Sequence, residues 1–307
     1  VLANACGMGA EAEEPDGARK SGSSGIRWSP EKRKQRDRVK PKERSERIRW
    51  KHNMDKRIGA QYYTLREFTK TIEDFEETCR KVREMGYKLV QISGTPLEAA
   101  PMREVLDRHG LEAVTTHRSF DDFHKDLEEV MEYNRILGCQ LCGVGCMPGW
   151  AKESGENLSR FIEEANRMAA RLRKEGLYFG YHNHAFEFAR LEGRQIMDRL
   201  IRETDPEEFY FIADTYWVQA AGMGPAAFLK ELGSRAMAVH FKDLKANLDN
   251  TSEMAEIGEG NLNWDEIISV CEEAGVKWAL VEQDTCRRDP FQSLKMSYDY
   301  LAGKGFC

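Results

Sequence analysis

The sequence lacks the signals that define several common classes of protein. No apolar run approaches the roughly 20 residues that a membrane-spanning helix needs, so we expect a soluble protein with no membrane partner. The 8 cysteines have no metal-type spacing, Cys139, Cys142 and Cys146 form their one cluster, and no signal peptide is recognisable. We therefore expect reduced thiols and a cytoplasmic location.

Nucleotide-binding and nucleic-acid-binding signals are missing as well. No glycine-rich dinucleotide fingerprint or phosphate-cradling loop follows the first apolar run, which disfavours a nucleotide-binding protein. The formal net charge is -6, and basic residues crowd the start of the chain, so the remainder is more acidic than this total. We therefore expect no nucleic-acid partner.

Residues 1–53 differ in composition from the rest of the chain. The segment "EPDGARKSGSSG" is typical of a linker, and "SPEKRKQRDRVKPKERSERIRWKH" is a dense run of charge that cannot bury a core. We predict a disordered basic leader over residues 1–53 and a folded domain over residues 54–307. The leader is interpreted as a solvated or non-native segment, with a basic arm for an acidic partner as the alternative.

From Met54 onwards, short apolar runs alternate with amphipathic segments, a pattern typical of a parallel sheet covered by helices. The predicted strands are "RIGAQYY", "YKLVQIS", "LEAVTTH", "CQLCGVG", "LYFGYHN", "FYFIADT", "AMAVHFKD" and "WALVEQD". The predicted helices include "TIEDFEETCRKVREMG", "TPLEAAPMREVLDRHG", "FHKDLEEVMEYNRILG", "SGENLSRFIEEANRMAARLRKEG" and "NWDEIISVCEEAG", most of them closed by glycine. Such units in roughly 250 residues predict an α/β protein with the (β/α)8 TIM barrel fold.

The predicted strands end in polar side chains, and in a TIM barrel the active site is built at those ends. The residues concerned are Gln61, Tyr62, Gln91, His117, His182, Asn183, His184, Asp214, His240, Lys242, Asp243, Glu282 and Asp284. One such residue alone is commonly a satisfied member of a buried network. Imidazoles and carboxylates from consecutive strands can together hold a divalent cation and leave positions open for a substrate.

Six short motifs carry a family resemblance. They are "IGAQYYTLR", "GYHNHAFEF", "ADTYWVQAAG", "VHFKDLK", "EIGEGNLNW" and "VEQD". From about Ile58 to near its end, the chain resembles the sugar phosphate isomerase/epimerase family, which has the xylose isomerase-like TIM barrel of the AP endonuclease family 2 superfamily. The resemblance implies an enzyme of carbohydrate metabolism. It leaves open an isomerase, an epimerase, a dehydratase or a glycoside-cleaving lyase.

The resemblance also implies one divalent cation, manganese, magnesium, cobalt or zinc, bound at the ends of the fifth to eighth strands. Position by position, it assigns Asp214, His240 and Glu282 as metal ligands. Many members have a glutamate where this chain has His182. Here either the imidazole of His182 replaces that carboxylate, or Glu187 folds back towards the metal.

Side-chain alternation bears on this choice. His182 and His184 point to one side of an extended strand, and Tyr181 and Asn183 point to the other. If His184 faces the mouth of the barrel, so does His182. We therefore expect His182 as the metal ligand and His184 as a substrate contact or proton carrier, with Glu187 as the alternative.

The remaining residues at the strand ends receive supporting roles. Lys242 would stabilise an oxyanion or hold an acidic substrate group, and Asp243 would orient His240 as a metal ligand. Tyr62 and Trp217 would form an apolar wall for a sugar ring. The stretch "CGVGCMPGW" is interpreted as packing in the fourth strand. The predicted substrate contacts are Tyr62, His117, Asn183 and Trp217.

This set of residues predicts proton transfer next to a carbonyl through an enediolate. Glu282 would remove the proton, and His184 or Glu187 would return it. Return to the same carbon from the opposite side is epimerisation, return to the neighbouring carbon is isomerisation, and loss of a β-hydroxyl or β-glycosyl group is elimination. A metal-dependent lyase or dehydratase acting on a keto-inositol or keto-glycoside is therefore the alternative to an isomerase or epimerase of a small sugar.

Two proteins of other classes share this kind of barrel. A nuclease of the endonuclease IV type needs ligands for three zinc ions and a basic surface, and the strand ends offer too few histidines and carboxylates for that. A non-catalytic sugar-binding barrel would need no metal. We expect a small-molecule carbohydrate as the partner, and a homo-oligomer is compatible with the sequence.

Overall fold

The computed structural model describes residues 54–307. The predicted disordered leader, residues 1–53, lies outside the described residues. The architecture below is that of this part of the chain.

A closed barrel of eight parallel strands forms the centre of the fold. Its strands are β1 (Gly59–Gln61), β2 (Leu89–Ile92), β3 (Glu112–Arg118), β4 (Leu141–Val144), β5 (Tyr178–His182), β8 (Phe209–Asp214), β9 (Ala236–Phe241) and β12 (Trp278–Val281). Each strand pairs with the next barrel strand in chain order, and β1 pairs with β12 to close the ring. The TIM barrel predicted from the alternating pattern is confirmed.

Helices surround the barrel and connect its strands. They are α1 (Ile72–Met85), α2 (Ala99–His109), α3 (Phe120–Lys125), α4 (Leu127–Leu137), α5 (Gly155–Lys174), α6 (Ile196–Glu203), α7 (Thr215–Ala220), α8 (Pro225–Leu232), α9 (Trp264–Ala274) and α10 (Pro290–Gly303). The stretch "FHKDLEEVMEYNRILG", predicted as one helix, is divided between α3 and α4. Asp126 lies between them with φ of -152°, and its side chain caps α4 by accepting a hydrogen bond from the Glu129 N–H group.

The loops contain shorter secondary-structure elements. Two antiparallel hairpins pair β6 (Arg190–Leu191) with β7 (Arg194–Gln195) and β10 (Asp243–Ala246) with β11 (Ser252–Ala255). Short 3-10 helices span Tyr62–Phe68, Gly149–Lys152, Phe186–Phe188 and Gly233–Arg235. The 3-10 helix after β1 and the hairpin after β9 both begin where the sequence pattern predicts a continuing strand, which changes the direction of the side chains there.

The amino-terminal half of the barrel interior is filled by an apolar plug. Its buried members are Leu89, Val114, Leu141, Ile212, Ala238, Trp278 and Leu280. A larger apolar core lies between the barrel and the surrounding helices. Because the plug fills the interior at the amino end, the polar residues at the carboxyl ends of the strands are approached from the other end of the barrel.

No helix in residues 54–307 is long and apolar enough to cross a membrane.

Candidate active site

A polar layer lies above the apolar plug, at the carboxyl ends of the barrel strands. We call this end, with the loops that follow the strands, the barrel mouth. Alternation along each strand turns every second side chain inwards, so one polar residue from each barrel strand except β4 reaches the same level. These inward residues are Gln61, Gln91, His117, His182, Asp214, His240 and Glu282.

Four of these residues form a compact group of metal-ligand types. His182, Asp214, His240 and Glu282 are buried, and each offers one ligand atom within 4.8 Å of the others. They come from β5, β8, β9 and β12, which are neighbours in the barrel. The structure therefore brings together the four residues that the sequence nominated as metal ligands.

A hydrogen bond fixes the orientation of the His182 ring. Its Nδ1 lies 3.1 Å from the carbonyl oxygen of Gly145, and because a carbonyl only accepts, Nδ1 carries the proton. Its Nε2 then faces Asp214, 3.3 Å from Oδ2. Metal-binding histidines are commonly held in this way, with one nitrogen bonded to a carbonyl and the other free to bind the ion. This arrangement supports His182 as a ligand.

His240 is oriented by an amide from the other side of the barrel. Its Nε2 lies 2.8 Å from Oε1 of Gln91. Its Nδ1 lies 2.9 Å from Oε2 of Glu282 and 3.8 Å from Oδ2 of Asp214, without the geometry of a hydrogen bond. Burial alone would lower the pKa of His240, but these two carboxylates raise it to about 9. Without a metal, a proton therefore occupies this ring.

Lys242 neutralises part of the negative charge at the barrel mouth. Its fully buried Nζ lies 2.7 Å from Asp284 Oδ1, 3.2 Å from Glu282 Oε2 and 3.4 Å from Asp214 Oδ2. Burial would lower the pKa of Lys242, but the three carboxylates raise it above its usual range. The ammonium is thus bound to protein carboxylates, whereas the sequence predicted a contact with an oxyanion or an acidic substrate group.

The same contacts act on the carboxylates. Burial would raise the pKa of Asp214 and of Glu282, but Lys242 and the neighbouring histidines hold both well below their usual range. Asp284 differs, because burial raises its pKa and the contact with Lys242 only partly offsets that. Asp214 and Glu282 are therefore ionised at neutral pH, as metal ligands must be.

His184 lies beside the metal-ligand group. Its ring centre is 4.8 Å from that of His182 and 5.5 Å from that of Trp217. Its Nδ1 has no hydrogen-bond partner among the described residues. Burial lowers the pKa of His184 to about 3, with further lowering by His182 and Lys242. A neutral imidazole next to the ligand group fits the predicted substrate contact.

Glu187 supports His184 and does not join the ligand group. Its Oε1 accepts a hydrogen bond from the Tyr181 hydroxyl at 2.7 Å, and its Oε2 accepts one from the His184 backbone N–H at 2.8 Å. It is fully buried, and burial raises its pKa to about 7 against these two hydrogen bonds. Of the two alternatives for the fifth strand, the geometry favours His182 as the ligand.

Three sequence-predicted site residues point elsewhere. Tyr62 is fully buried towards the helices, with its hydroxyl 3.3 Å from Cys79 Sγ, because a 3-10 helix replaces the strand from this residue onwards. Asn183 is fully buried and accepts a hydrogen bond from the Asp214 N–H at 3.0 Å. We therefore correct the prediction that Tyr62 and Asn183 contact the substrate.

Asp243 is the third, and its role differs from the predicted one. Instead of orienting His240, it accepts hydrogen bonds from the side chain of Trp264 and from backbone N–H groups of the loop before α9 and of Leu244. The chain enters the β10 hairpin at this residue, so the side chain turns away from the barrel axis. Asp243 anchors the loop that follows the hairpin.

His117 and Trp217 do reach the barrel mouth. The His117 ring centre is 5.0 Å from that of His182 and 5.3 Å from that of His240. Burial and these two histidines hold the pKa of His117 well below its usual range. Trp217 lies on α7, whose first turn is capped by Asp214 Oδ1.

Sequence reasoning missed several supporting residues. Gln91 and Asp284 are polar strand ends, and nothing in the sequence pairs them with His240 and Lys242, their partners in the structure. The stretch "CGVGCMPGW" contributes more than packing. Gly145 supplies the carbonyl that orients His182, and a Cβ atom at Gly143 would lie 2.2 Å from the Thr116 carbonyl oxygen and 2.8 Å from the ring of His117.

The comparison with protein families agrees with this fold. The family model described as xylose isomerase-like TIM barrel matches residues 79–301. The chain belongs to this family of enzymes, and the resemblance predicted from the strand-end motifs is confirmed.

Relatives of the chain include inosose dehydratases. That of Lacticaseibacillus casei is 25% identical over 171 residues, which cover 50% of this chain and 56% of the relative. That of Clostridium beijerinckii is 23% identical over 268 residues, which cover 75% of this chain and 89% of the relative. The chain thus spans about half the length of the first of these relatives and most of the second.

Solved structures share the fold at low sequence identity. A sugar phosphate isomerase/epimerase from Parabacteroides distasonis has a TM-score of 0.68 and 22% identity, and the match covers 81% of this chain and 94% of that one. A xylose isomerase-like TIM barrel protein from Mycobacterium smegmatis, in complex with magnesium, has a TM-score of 0.64 and 14% identity, covering 80% and 95%. At these identities the similarity concerns the fold.

The four candidate ligands fit a divalent cation. They provide two imidazole nitrogens and two carboxylates, a mixed set that suits zinc, cobalt or manganese and also admits magnesium through its oxygens. The proton on His240 and the ammonium of Lys242 lie against the same carboxylate oxygens, which shows that this position attracts positive charge. The donor set leaves the identity of the metal open.

Proposed function

We propose that this protein is a divalent-metal-dependent isomerase or epimerase of a small sugar or sugar derivative, which transfers a proton next to a carbonyl group. The observation that carries this proposal is the arc of four buried ligand atoms from His182, Asp214, His240 and Glu282. A cation bound there would polarise the substrate carbonyl and stabilise the charge of an enediolate. Glu282, which is also one of these four residues, and His184 would handle the proton.

Glu282 is the candidate base. Its carboxylate is ionised, lies at the end of β12 and faces the barrel interior beside His240 and Lys242. His184 is the candidate relay of a proton between substrate oxygens, since its neutral ring lies beside His182 and its Nδ1 is free of protein partners in the described part of the chain. Glu187 then acts as a positioning residue, because its carboxylate holds the backbone of His184.

A dehydratase is the second candidate function. The enediolate that leads to an isomer or epimer would also expel a hydroxyl group from the next carbon, so the same residues would serve a lyase. Two findings favour this alternative: the relatives named inosose dehydratase, and a solved structure of a probable 3-DHS dehydratase from Bacillus anthracis with a TM-score of 0.62 and 14% identity. A keto-inositol would then be the first substrate to test.

Deuterium exchange tests the proposal. The manganese-loaded protein would be incubated in D2O with aldoses, ketoses, their phosphates, keto-inositols and 3-keto-glycosides. We expect one compound to take up deuterium beside its carbonyl, and the fate of the label separates epimerase, isomerase and lyase. Glu282→Gln should lower the exchange rate by about 10²- to 10⁴-fold, the usual contribution of a general base.

Elemental analysis of the same samples provides the controls. About one cation per chain is expected for the wild-type protein and for His184→Ala, and much less for His240→Ala, because only the last removes a candidate ligand. Exchange by Glu282→Gln at the wild-type rate would rule out Glu282 as the base. Sugar binding without any exchange across the panel would instead favour the non-catalytic sugar-binding barrel.

A further inference from the structure

Polar atoms without partners are concentrated at the barrel mouth. In residues 54–307, eight buried side-chain nitrogen or oxygen atoms have no hydrogen-bond partner, and the two outside the barrel mouth belong to His109 and Glu164 on the outer helices. The six at the barrel mouth belong to Gln61, Gln91, His117, His184, Trp217 and His240. Of these, His240 Nδ1 lies 2.9 Å from Glu282 Oε2 in an ion pair, so five remain without a partner. Each such group destabilises the protein by about 1–3 kcal/mol. A cluster of them indicates a ligand that supplies the missing partners.

In three of these groups the atom without a partner must be a hydrogen-bond donor. Gln61 uses its Oε1 to accept from the Tyr63 backbone N–H at 3.1 Å, which leaves its amide N–H groups for a ligand. The Oε1 of Gln91 likewise accepts a hydrogen bond from His240 Nε2, which leaves the amide N–H groups of Gln91 for a ligand. The indole of Trp217 has only an N–H to offer. All three donors are uncharged.

The unpartnered groups lie around the candidate metal site. Gln61 and Gln91 are directly paired neighbours on β1 and β2. His117 contacts the rings of His182 and His240, and Trp217 lies with its ring 5.3 Å from Lys242 Nζ. A ligand held at the metal site would therefore meet donors on several sides at once, as a compound with several hydroxyl groups requires.

The charged groups at this site leave no net positive charge to bind an anionic substrate group. Asp214, Glu282 and Asp284 are matched by the single ammonium of Lys242, so a divalent cation would only balance the remaining negative charge. The Arg66 guanidinium donates to the carbonyl oxygens of Tyr63 and Asp284 and lies over the Tyr63 ring. Lys242 is therefore not available to pair with a phosphate, and Arg66 is already bonded through Nη1 to two protein carbonyls.

We propose that the barrel mouth binds an uncharged polyhydroxylated carbonyl compound, a free sugar or a cyclic polyol ketone, in preference to its phosphate ester. This inference rests on the proposed function for the carbonyl group. The hydroxyl groups are assigned to the amides of Gln61 and Gln91 and to the indole of Trp217. A phosphate at the same position would face carboxylates and neutral donors.

Lys152 is the basic side chain that would favour a phosphorylated substrate. Its Nζ lies 4.1 Å from the centre of the Phe186 ring, which stacks on His184 at 5.8 Å, and no ion pair of Lys152 is found among the described residues. If the substrate were phosphorylated, this lysine at the rim would be the group to hold the phosphate. Lys152→Ala therefore separates the two substrate classes.

Calorimetric binding to the manganese-loaded protein tests the proposal. The probes are D-fructose with D-fructose 6-phosphate, D-ribulose with D-ribulose 5-phosphate, and a keto-inositol. We expect a free compound to bind at least about tenfold more tightly than its phosphate. Trp217→Phe should weaken binding of the free compound by about threefold to tenfold, the value of one neutral hydrogen bond, without changing manganese content. Lys152→Ala should leave that binding unchanged.

The outcomes separate this inference from the proposed function. Tighter binding of a phosphate, weakened by Lys152→Ala, would overturn the inference and leave proton transfer intact. Binding of a free compound that is weakened by Trp217→Phe, but without deuterium uptake, would support the inference and contradict the proposed reaction. If no free compound binds or exchanges at millimolar concentration, both are overturned.

Discussion

The two ends of the barrel interior are built from opposite kinds of side chain. At the amino end, Leu89, Val114, Leu141 and Trp278 pack into the apolar plug, where each buried side chain stabilises the fold by about 1.5–3 kcal/mol. At the barrel mouth, imidazoles, carboxylates and an ammonium are buried at the ends of the same strands. Removing such charges from water is unfavourable unless they are paired.

The two ends of the barrel therefore have different roles: the amino end stabilises the fold, and the barrel mouth holds the candidate reactive groups. The plug excludes water from below and fixes the spacing of the strands, while the barrel mouth keeps polar groups without protein partners. Substitutions at the plug should therefore change the free energy of unfolding and leave the reaction alone. Substitutions at the barrel mouth should change metal binding, charge balance or the response to pH.

Lys242→Met gives the largest expected effect on stability. It removes the ammonium between Asp214, Glu282 and Asp284 and leaves three carboxylates facing one another. We expect the free energy of unfolding of the metal-free protein to fall by about 3–5 kcal/mol, with manganese restoring part of this loss. Urea denaturation with and without manganese measures both. Lys245→Met, at an exposed lysine of β10, is the matched control. Equal stability of the two variants would refute the proposed charge balance.

Leu141→Ala tests the opposite end. Leu141 is fully buried in the plug, so its truncation should lower the free energy of unfolding by about 2–5 kcal/mol through lost burial and a residual cavity. The rate of deuterium exchange per folded molecule should stay within about twofold of wild type, because no group of the barrel mouth is removed. A much larger loss of exchange would mean that the two ends are coupled.

Glu187→Gln gives a smaller effect that depends on pH. Burial raises the pKa of Glu187 from 4.5 to about 7, so the folded protein holds a proton that the unfolded chain releases. The corresponding stability is present below pH 4.5 and is lost as the pH rises through about 7. The wild-type protein should therefore lose up to about 3 kcal/mol relative to Glu187→Gln across this window.

Urea denaturation at a series of pH values measures this difference. Glu163→Gln, at an exposed position on α5, serves as the control and should keep the wild-type pH dependence. Parallel pH profiles for the wild-type protein and Glu187→Gln would show that Glu187 is not protonated in the folded state.

The fold was predictable because parallel strands buried on both faces appear as apolar runs, and each predicted run coincides with a barrel strand. The candidate ligands were predictable for a related reason, since every strand of a TIM barrel ends at the same level. The wrong predictions concern residues that lie just beyond the ends of the barrel strands. Tyr62 enters a 3-10 helix and Asp243 enters a hairpin, so alternation no longer gives their direction.

Partnerships between distant residues were also beyond sequence reasoning. Lys242 and Asp284 are 42 positions apart, and Gln91 and His240 are 149 positions apart, so only the closed barrel brings each pair into contact. Glu187 illustrates the converse. It is near His182 in the sequence, yet its hydrogen bonds to Tyr181 and His184 turn it away from the ligand group.

Gly143 has no reactive group, yet the candidate site depends on it. Any side chain at this position would collide with the Thr116 carbonyl oxygen and with the ring of His117, which lies against two candidate metal ligands. Gly145 differs, since it contributes a backbone carbonyl and a Cβ atom there would come no closer than 3.4 Å to His117. Natural variation among related chains should therefore be as restricted at position 143 as at the ligands themselves, while position 145 accepts alanine.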